Sequence, residues 1–205
     1  MTDVFIRYAP QNRLRYLLSE SVLERWYMEP VELHVLAQSG YFPSPRHAQQ
    51  GELPSHIHPP EYLNAEGRFW TAAKQYAEDN AKSEIYVVAD DDQLIIGKDW
   101  VKRGVEILQA HPEFGLLSAW SVNGEVQETA DGDEQIFTIQ SSVGCPYFMR
   151  KGAIKEFPES EGNQQDTAMC EALWQKGWKY GFIRGLRFNH LGYEYSTIAP
   201  GHWGA

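Results

Sequence analysis

The segment Ile85-Tyr86-Val87-Val88-Ala89-Asp90-Asp91-Asp92 (IYVVADDD) sets the architecture that this chain can adopt. Its first five residues form an apolar run, rich in β-branched side chains and without alternation, which predicts a buried strand of a parallel sheet. The three carboxylates that follow would lie at the C-terminal edge of that sheet, where open α/β sheets bind ligands. Because adjacent carboxylates repel one another unless a cation neutralises them, the triplet predicts a site for Mg²⁺ or Mn²⁺.

An acidic turn in solvent is the alternative interpretation of the triplet, since Asp is common in loops. The buried strand before it and the sequence after it favour the ligand site. A divalent ion at this position would bridge the carboxylates to the phosphates of a substrate.

The segments around this strand alternate between strand and helix patterns. A strand over Asp3–Tyr8, a helix over Asn12–Trp26 and a strand over Val31–Ala37 predict a βαβ opening. The segments 38–64 and 124–134, rich in turn residues, are predicted to be irregular. Three further helices are predicted: one over 65–81, one from the N-cap Asp99 to near His111, and one from Asn163 or Gln164 to Trp174, followed by Gly177. The first of these has the apolar stripe Phe69, Ala72, Ala73, Tyr76 and Ala77. Strands are predicted over 114–122 and 180–188, and extended chain over 135–150.

Length and composition favour one domain with a substantial core. The chain has 205 residues and a formal net charge of −10, which argues against a dedicated nucleic-acid surface without excluding a local basic patch. Its two cysteines, Cys145 and Cys170, have no metal-ligand spacing and are compatible with free thiols or a bridge. No secretory signal and no membrane-spanning apolar stretch is visible, so we expect a cytoplasmic protein.

Several further segments carry chemistry in a recognisable order. Asn64-Ala65-Glu66-Gly67-Arg68 precedes the Ala-rich helix and the Asp triplet, and the segment 143–151 (VGCPYFMRK) follows later. Gln165-Asp166 then opens a helix, and Asn189-His190 follows the last predicted strand. In this order, from Val4 to about His190, the chain resembles a small glycosyltransferase of the GT-A fold, closest to the family 2-like group. The resemblance implies a single GT-A-like α/β domain over 1–205, with a mainly parallel sheet flanked by helices.

The resemblance also implies roles for the acidic residues. Asp90 and Asp92 match the ends of a DxD motif, and His190 matches a late histidine that completes the metal site around Mn²⁺ or Mg²⁺. Asp166 matches the catalytic base of an inverting, single-displacement reaction. The capping of a helix start is the competing explanation for Asp166, since the helix dipole favours an acidic side chain there.

The implied substrates are a nucleoside-diphosphate sugar, a UDP-sugar foremost, and an unidentified hydroxyl acceptor, for which nucleic acid is disfavoured but left open. The donor-binding part covers about 1–95 and the acceptor part about 96–205. The donor-binding residues implied are Tyr8, Ala9, Asn12, Arg13, Arg68 and Asp91, and the acceptor-binding residues are Gly144, Cys145 and Gln165.

Two departures from the family pattern leave alternatives open. Gln165 stands where an acidic partner of the base is usual, and Ala37-Gln38-Ser39-Gly40 lacks the acidic residue that usually holds the nucleotide base. A non-catalytic, metal-dependent module that binds nucleotides or glycans is one alternative. A nucleotidyltransferase on a related fold is the other, although no Gly-rich loop with a Lys lies near Pro10.

Overall fold

The chain opens with the strand, helix and strand that the sequence predicts. The structure is a computed structural model that describes residues 1–8, 13–38, 61–63, 69–121, 136–138, 143–159 and 164–191. Within these ranges lie four helices: α1 (Arg13–Trp26), α2 (Phe69–Asn80), α3 (Trp100–Ala110) and α4 (Gln165–Gln175). The strands there are β1 (Asp3–Tyr8), β2 (Glu32–Gln38), β3 (Glu61–Leu63), β4 (Ile85–Asp90), β5 (Gln93–Ile96), β6 (Phe114–Ser121), β7 (Ile136–Thr138), β8 (Tyr147–Arg150) and β9 (Lys179–His190).

All nine of these strands belong to one sheet in the order β3-β2-β1-β4-β8-β6-β9-β5, and β7 also pairs with β9. The strands β3, β2, β1 and β4 are parallel, as is the pair β6 and β9. The pairs β4–β8, β6–β8, β5–β9 and β7–β9 are antiparallel. The sheet is therefore mixed, and the expected mainly parallel sheet is wrong. An apolar run buried on both faces looks the same in either direction, so the sequence of β8 could not reveal its orientation.

Helices cover both faces of this sheet, and each face has its own hydrophobic core. In one core the side chains of Trp26 and Trp100 meet edge to face, with ring centroids 5.7 Å apart, below the strand residues Ile6 and Val87. In the other core α2 and α4 pack on residues such as Phe5. The residues on either side of Phe5 in β1, Val4 and Ile6, belong to the first core, because successive side chains of a strand point to opposite faces. Burial on both faces explains why Ile85–Ala89 shows no alternation.

Most predicted elements are present, with informative differences at their ends. The strand β5, which directly follows the Asp triplet, was not expected, and β3 lies inside a segment predicted to be irregular. Asp99 precedes α3, but it makes no side-chain cap hydrogen bond and its φ is 53°. Asp99 thus occupies the predicted N-cap position, but its side chain does not cap the helix. Gly177 follows α4 with a φ of 82°, the left-handed conformation expected after a helix end.

Two predicted segments lie largely or wholly outside the described residues. These are most of 38–64 and all of 124–134. The extended chain predicted over 135–150 contributes β7 and β8. Cys145 and Cys170 are both buried free thiols, which decides between the two options left by the sequence. In the described part of the chain, no helix is long and apolar enough to cross a membrane.

Candidate active site

The three aspartates of the triplet occupy three different environments at the carboxyl edge of the sheet. Asp90 is the last residue of β4, and Asp91 and Asp92 form the turn into β5. The turn reverses the chain, so each of the three carboxylates points toward a different neighbouring element. They are therefore not equivalent as ligands.

The Asp90 carboxylate is bound by Arg7, its direct neighbour on the parallel strand β1. The Arg7 guanidinium donates through Nε to Asp90 Oδ1 at 2.6 Å and through Nη2 to Oδ2 at 2.8 Å. The same Nη2 donates to Cys145 Sγ at 3.1 Å, and the guanidinium carbon lies 4.6 Å from the centroid of the Trp70 ring. Such a two-point, charge-assisted contact is among the stronger polar interactions in proteins.

Gln93 closes the network around Asp90. The Asp90 backbone N–H donates to Gln93 Oε1 at 2.7 Å, and Gln93 Nε2 donates to the Cys145 carbonyl at 2.8 Å. Burial raises the pKa of Asp90, Arg7 opposes this rise, and Asp92 adds to it, so that the pKa lies above its ordinary value. Burial alone would lower the pKa of Arg7, but Asp90 raises it further above the ordinary value. The short two-point contact with a guanidinium, which stays protonated in proteins, makes Arg7 and Asp90 an ion pair.

Asp91 ties the triplet to α1. It is fully buried, and Ser19 Oγ donates to its Oδ2 at 2.9 Å. Its backbone N–H donates to the Arg7 carbonyl at 3.1 Å. The structure thus gives Asp91 a place between the helix and the sheet, with no exposed surface for the donor contact that the resemblance implies.

Asp92 lies beside His190, as the pairing of β5 with β9 requires. Gln93 is the register partner of His190, and the Leu191 backbone N–H donates to the Asp92 carbonyl at 2.8 Å. His190 Nε2 is 3.3 Å from Asp92 Oδ2, and the histidine side chain is 35% exposed whereas that of Asp92 is 5% exposed. The structure therefore brings together the last aspartate of the motif and the late histidine.

The Asp92–His190 pair suits the divalent ion that the resemblance implies only if the substrate supplies further ligands. Within the described residues no three His, Cys, Asp or Glu side chains form a group that could hold a metal ion. Mg²⁺ and Mn²⁺ sites on nucleotides commonly need only one or two protein ligands, because phosphates and waters complete the coordination. One carboxylate and one imidazole fit such a site, whereas Asp90 is already committed to Arg7.

Asp166 lies in the first turn of α4, and its carboxylate is held by Lys74 of α2. Lys74 Nζ donates to Asp166 Oδ1 at 2.7 Å, and the lysine side chain is only 2% exposed. The other oxygen, Oδ2, lies above Gly144, where a Cβ atom would approach it to 3.1 Å. Ser118 Oγ donates to the Gly144 carbonyl at 2.7 Å and so fixes that segment.

Asp166 belongs to the same site as Asp90. The charge of Asp166 acts on Arg7, and both Asp90 and Asp166 act on the buried Cys145 thiol. Burial raises the pKa of Cys145 well above its ordinary value, which makes this thiol unreactive at neutral pH. Cys145 therefore serves as a packing and hydrogen-bonding group between the carboxylates.

The remaining residues implied by the resemblance are either buried, located at the start of a helix, or outside the described part of the chain. Tyr8 is fully buried and its hydroxyl donates to Glu20 Oε1 at 3.0 Å, so the structure offers no surface of Tyr8 to a donor. Gln165 is the first residue of α4, adjacent to Asp166. Arg13 begins α1, while Ala9, Asn12 and Arg68 lie outside the described residues.

Four residues of the site were not predicted from the sequence: Arg7, Lys74, Gln93 and Trp70. A signal was present for the two cations, because each interrupts an otherwise apolar pattern. Arg7 lies in the buried strand β1, and Lys74 lies on the buried face of α2 together with Ala73, Ala77 and Glu78. The predicted stripe of α2 is accordingly rotated, since Ala72 and Tyr76 are only half-buried.

Solved structures of glycosyltransferases share this fold. A mannosyltransferase from Pyrobaculum calidifontis, PcManGT in complex with GDP-Man and Mn²⁺, is 16% identical with a TM-score of 0.72, over 98% of this chain and 58% of that one. S. aureus TarS 1–349 in complex with UDP-GlcNAc is 12% identical with a TM-score of 0.65, over 94% of this chain and 61% of that one.

The chain thus spans about 60% of the length of these two structures, and 36% of the longer S. aureus TarS structure, which it matches at 13% identity with a TM-score of 0.64. No family model matches the sequence, and no curated relative matches it. The likeness therefore concerns the fold alone. On that ground, and on the mixed α/β sheet described above, the chain has a GT-A-like glycosyltransferase fold.

Proposed function

We propose that this protein transfers a sugar from a nucleoside-diphosphate sugar to a hydroxyl acceptor, with a divalent metal ion and with inversion. One observation carries the proposal: Asp92 with His190 and Asp166 with Lys74 form two separate polar pairs at one edge of the sheet. A group-transfer site needs one place for the leaving diphosphate and another for the base, and these pairs supply both.

The Asp92–His190 pair is the candidate metal holder. Its carboxylate and imidazole would contribute ligands to Mn²⁺ or Mg²⁺, and the donor diphosphate would supply others. When bound, such an ion stabilises the negative charge that develops on the leaving diphosphate. Asp90 has a different part in the proposal, because its two oxygens are engaged by Arg7. It would fix the turn that presents Asp92.

Asp166 is the candidate base. The acceptor hydroxyl would give its proton to Asp166 while the acceptor oxygen bonds to the anomeric carbon of the sugar. The bond from that carbon to the diphosphate breaks in the same step, and its electron pair leaves with the diphosphate. The 34% exposure of the Asp166 side chain permits an acceptor to reach it, which a fully buried carboxylate would prevent.

The donor class is inferred from the solved structures that share the fold. One of them holds UDP-GlcNAc and another holds GDP-Man with Mn²⁺. UDP- and GDP-sugars are therefore the first donors to test. The acidic residue that usually holds the nucleotide base is absent from the sequence Ala37-Gln38-Ser39-Gly40. Other residues must therefore distinguish a UDP-sugar from a GDP-sugar.

The experiment measures thermal unfolding with UDP-, GDP-, CMP- and dTDP-sugars, each with and without Mn²⁺. A ligand that binds only the native state raises the unfolding temperature, and we expect a Mn²⁺-dependent rise with one nucleotide class. The variant D166N should keep that rise and lose release of the nucleoside diphosphate. A protein that gives no rise with any donor contradicts the proposed donor site. Turnover unchanged in D166N contradicts the assignment of the base, and binding without turnover in the parent protein indicates a non-catalytic module.

A further inference from the structure

Lys74 is an unusual residue to find on the inner face of a helix. It lies on α2 among Phe69, Ala73 and Ala77, and only 2% of its side chain is exposed. Lysine is almost never fully buried unless it is paired, because taking its charge out of water is costly. The position of Lys74 therefore calls for an explanation beyond helix packing, for which an apolar side chain would suffice.

The partner of Lys74 is the candidate base. The Nζ–Oδ1 distance of 2.7 Å joins α2 to the first turn of α4 across 92 positions of sequence. The pair is asymmetric, since the lysine is buried and the aspartate is partly open to solvent. The cation thus lies behind the carboxylate as seen from the side on which an acceptor can approach.

Arg7, the other cation of the site within the described residues, has different hydrogen-bond partners. Arg7 is close enough for its charge to interact with that of Asp166, but its hydrogen bonds go to Asp90 and Cys145. Lys74 is therefore the cation that is bound directly to Asp166. Among the described residues, the charged and titratable groups that interact electrostatically with Asp166 include Lys74, Arg7, Asp90, Cys145, Tyr147 and Cys170.

The contact also distinguishes the two oxygens of Asp166. Oδ1 accepts from Lys74, and Oδ2 lies over Gly144, which has no side chain to block it. The terminal torsion of an aspartate is soft and roughly two-fold, so a carboxylate without a partner would rotate. A hydrogen bond to one oxygen removes that freedom and leaves the second oxygen facing the gap above Gly144.

We infer that Lys74 is a positioning residue that fixes the orientation of the Asp166 carboxylate, with Oδ2 turned toward the acceptor hydroxyl. This inference rests on the proposed function. In the step concerned, the acceptor proton passes to Asp166 Oδ2, the acceptor oxygen bonds to the anomeric carbon, and the diphosphate leaves with the electron pair. Lys74 takes no part in the proton transfer and touches neither substrate.

The test compares K74M with K74R in the full chain, using the nucleotide-sugar that stabilises the parent protein. Because a misplaced base costs about 100-fold in rate, K74M should lower kcat by that factor while the KM and Kd for the donor stay within about twofold. K74R, which keeps the charge, should recover at least about tenfold of the loss. The inference is overturned if kcat is unchanged in K74M, or if K74M loses donor affinity by the same factor as it loses kcat. It is also overturned if K74R recovers none of the lost kcat.

A second measurement guards against a K74M variant that fails to fold. The ammonium group of Lys74 should give a slowly exchanging ¹H–¹⁵N signal in the parent protein, since it is buried and hydrogen-bonded, and D166N should shift or abolish that signal. An unmoved signal in D166N overturns the contact. Failure of the proposed function is recognised separately, because it shows as a parent protein that no nucleotide-sugar stabilises.

Discussion

Arg7 and Asp90 stand opposite each other on neighbouring parallel strands and join through hydrogen bonds of 2.6 and 2.8 Å. The pair lies at the end of β4, where the sequence shows only carboxylates. Its consequence is that the triplet is partly neutralised by the protein itself. The carboxylate that lies beside His190, and that the proposed metal ion would use, is that of Asp92.

Removal of Arg7 should destabilise the fold, because the Asp90 carboxylate, which is largely buried, then lacks its cation. We expect R7M to lower the free energy of unfolding by about 3 kcal/mol, as for other broken buried pairs. The double variant R7M/D90N removes both charges and should regain part of that loss. Urea unfolding measures each value, and K102M, from the exposed Lys102–Glu106 pair, serves as the control that should leave the midpoint unchanged. If the double variant loses as much free energy of unfolding as R7M and D90N lose together, the two residues are not coupled.

The Asp92–His190 pair should govern the response to Mn²⁺. D92N and H190A are expected to weaken Mn²⁺ binding by about tenfold or more in the presence of a nucleoside diphosphate, since each removes one ligand. Electron paramagnetic resonance of free Mn²⁺ measures the affinity without any turnover. H111A is the matched control, because His111 is also a partly exposed histidine beside a carboxylate, that of Glu113, and it lies outside the candidate site. Equal loss in H111A and H190A would exclude a specific site.

Gly144 should be sensitive to the smallest added side chain. In G144A the new Cβ would lie 3.1 Å from Asp166 Oδ2, so the carboxylate has to shift by a few tenths of an ångström. We expect kcat to fall by about tenfold, since small errors in the placement of a base are costly, with little change in the unfolding temperature. Steady-state kinetics and thermal unfolding of the same sample make the comparison. A variant with full activity would show that Oδ2 has no part in the reaction.

Asp3, which lies at the opposite end of the sheet, should make the stability of the fold depend on pH. Burial alone would raise the pKa of Asp3, but hydrogen bonds from Ser83, His34 and the Lys82 backbone lower it below the ordinary value of 3.8. A lowered pKa stabilises the fold above the unfolded-state value, and this contribution disappears as the pH falls through the folded-state value.

The variant D3N tests this dependence. It should lower the free energy of unfolding by about 2 kcal/mol at pH 7, through the loss of charge-assisted hydrogen bonds. The difference between D3N and the parent protein should be constant from about pH 6 upward and shrink below about pH 4. Urea unfolding between about pH 3 and pH 8 gives the curve. A difference that grows toward low pH would mean that the pKa of Asp3 is raised by folding rather than lowered.

Gly104 on α3 should not tolerate alanine, although alanine favours helices. A Cβ at this position would approach the ring of Phe148 to 2.0 Å, so the helix must move away from the sheet. We expect G104A to cost about 2 kcal/mol, because overpacking outweighs the gain of about 1 kcal/mol in helix propensity. The double variant G104A/F148L, measured by urea unfolding, should recover part of the loss if the ring is the obstacle.

Local patterns in the sequence were sufficient for most of the elements. The unbroken apolar run before Asp90 predicts a strand covered on both faces, and two separate cores cover it. The helical periods before Trp26 and before Trp174 predict α1 and α4 within one or two residues. Such signals are local, since the side chains of one element repeat with its own period.

The partners of the site residues could not be predicted in the same way. Arg7 and Asp90 are 83 positions apart, and Lys74 and Asp166 are 92 apart. No periodicity links positions at such separations, and a lone basic residue in an apolar pattern reveals its burial without revealing its partner. The orientation of β8 escaped prediction for the same reason, because a strand's direction depends on the path of the chain between elements.

The sequence by itself thus determined most of the segments that form strands and helices, and that carboxylates follow β4 at the carboxyl edge of the sheet. Only the tertiary structure decided that Asp90 is neutralised by Arg7, that Asp92 meets His190, and that Asp166 is held by Lys74. The physical reason is that secondary structure follows from the chemistry of neighbouring residues, whereas the charge state of a site depends on which distant side chains the packed sheet brings within a few ångströms.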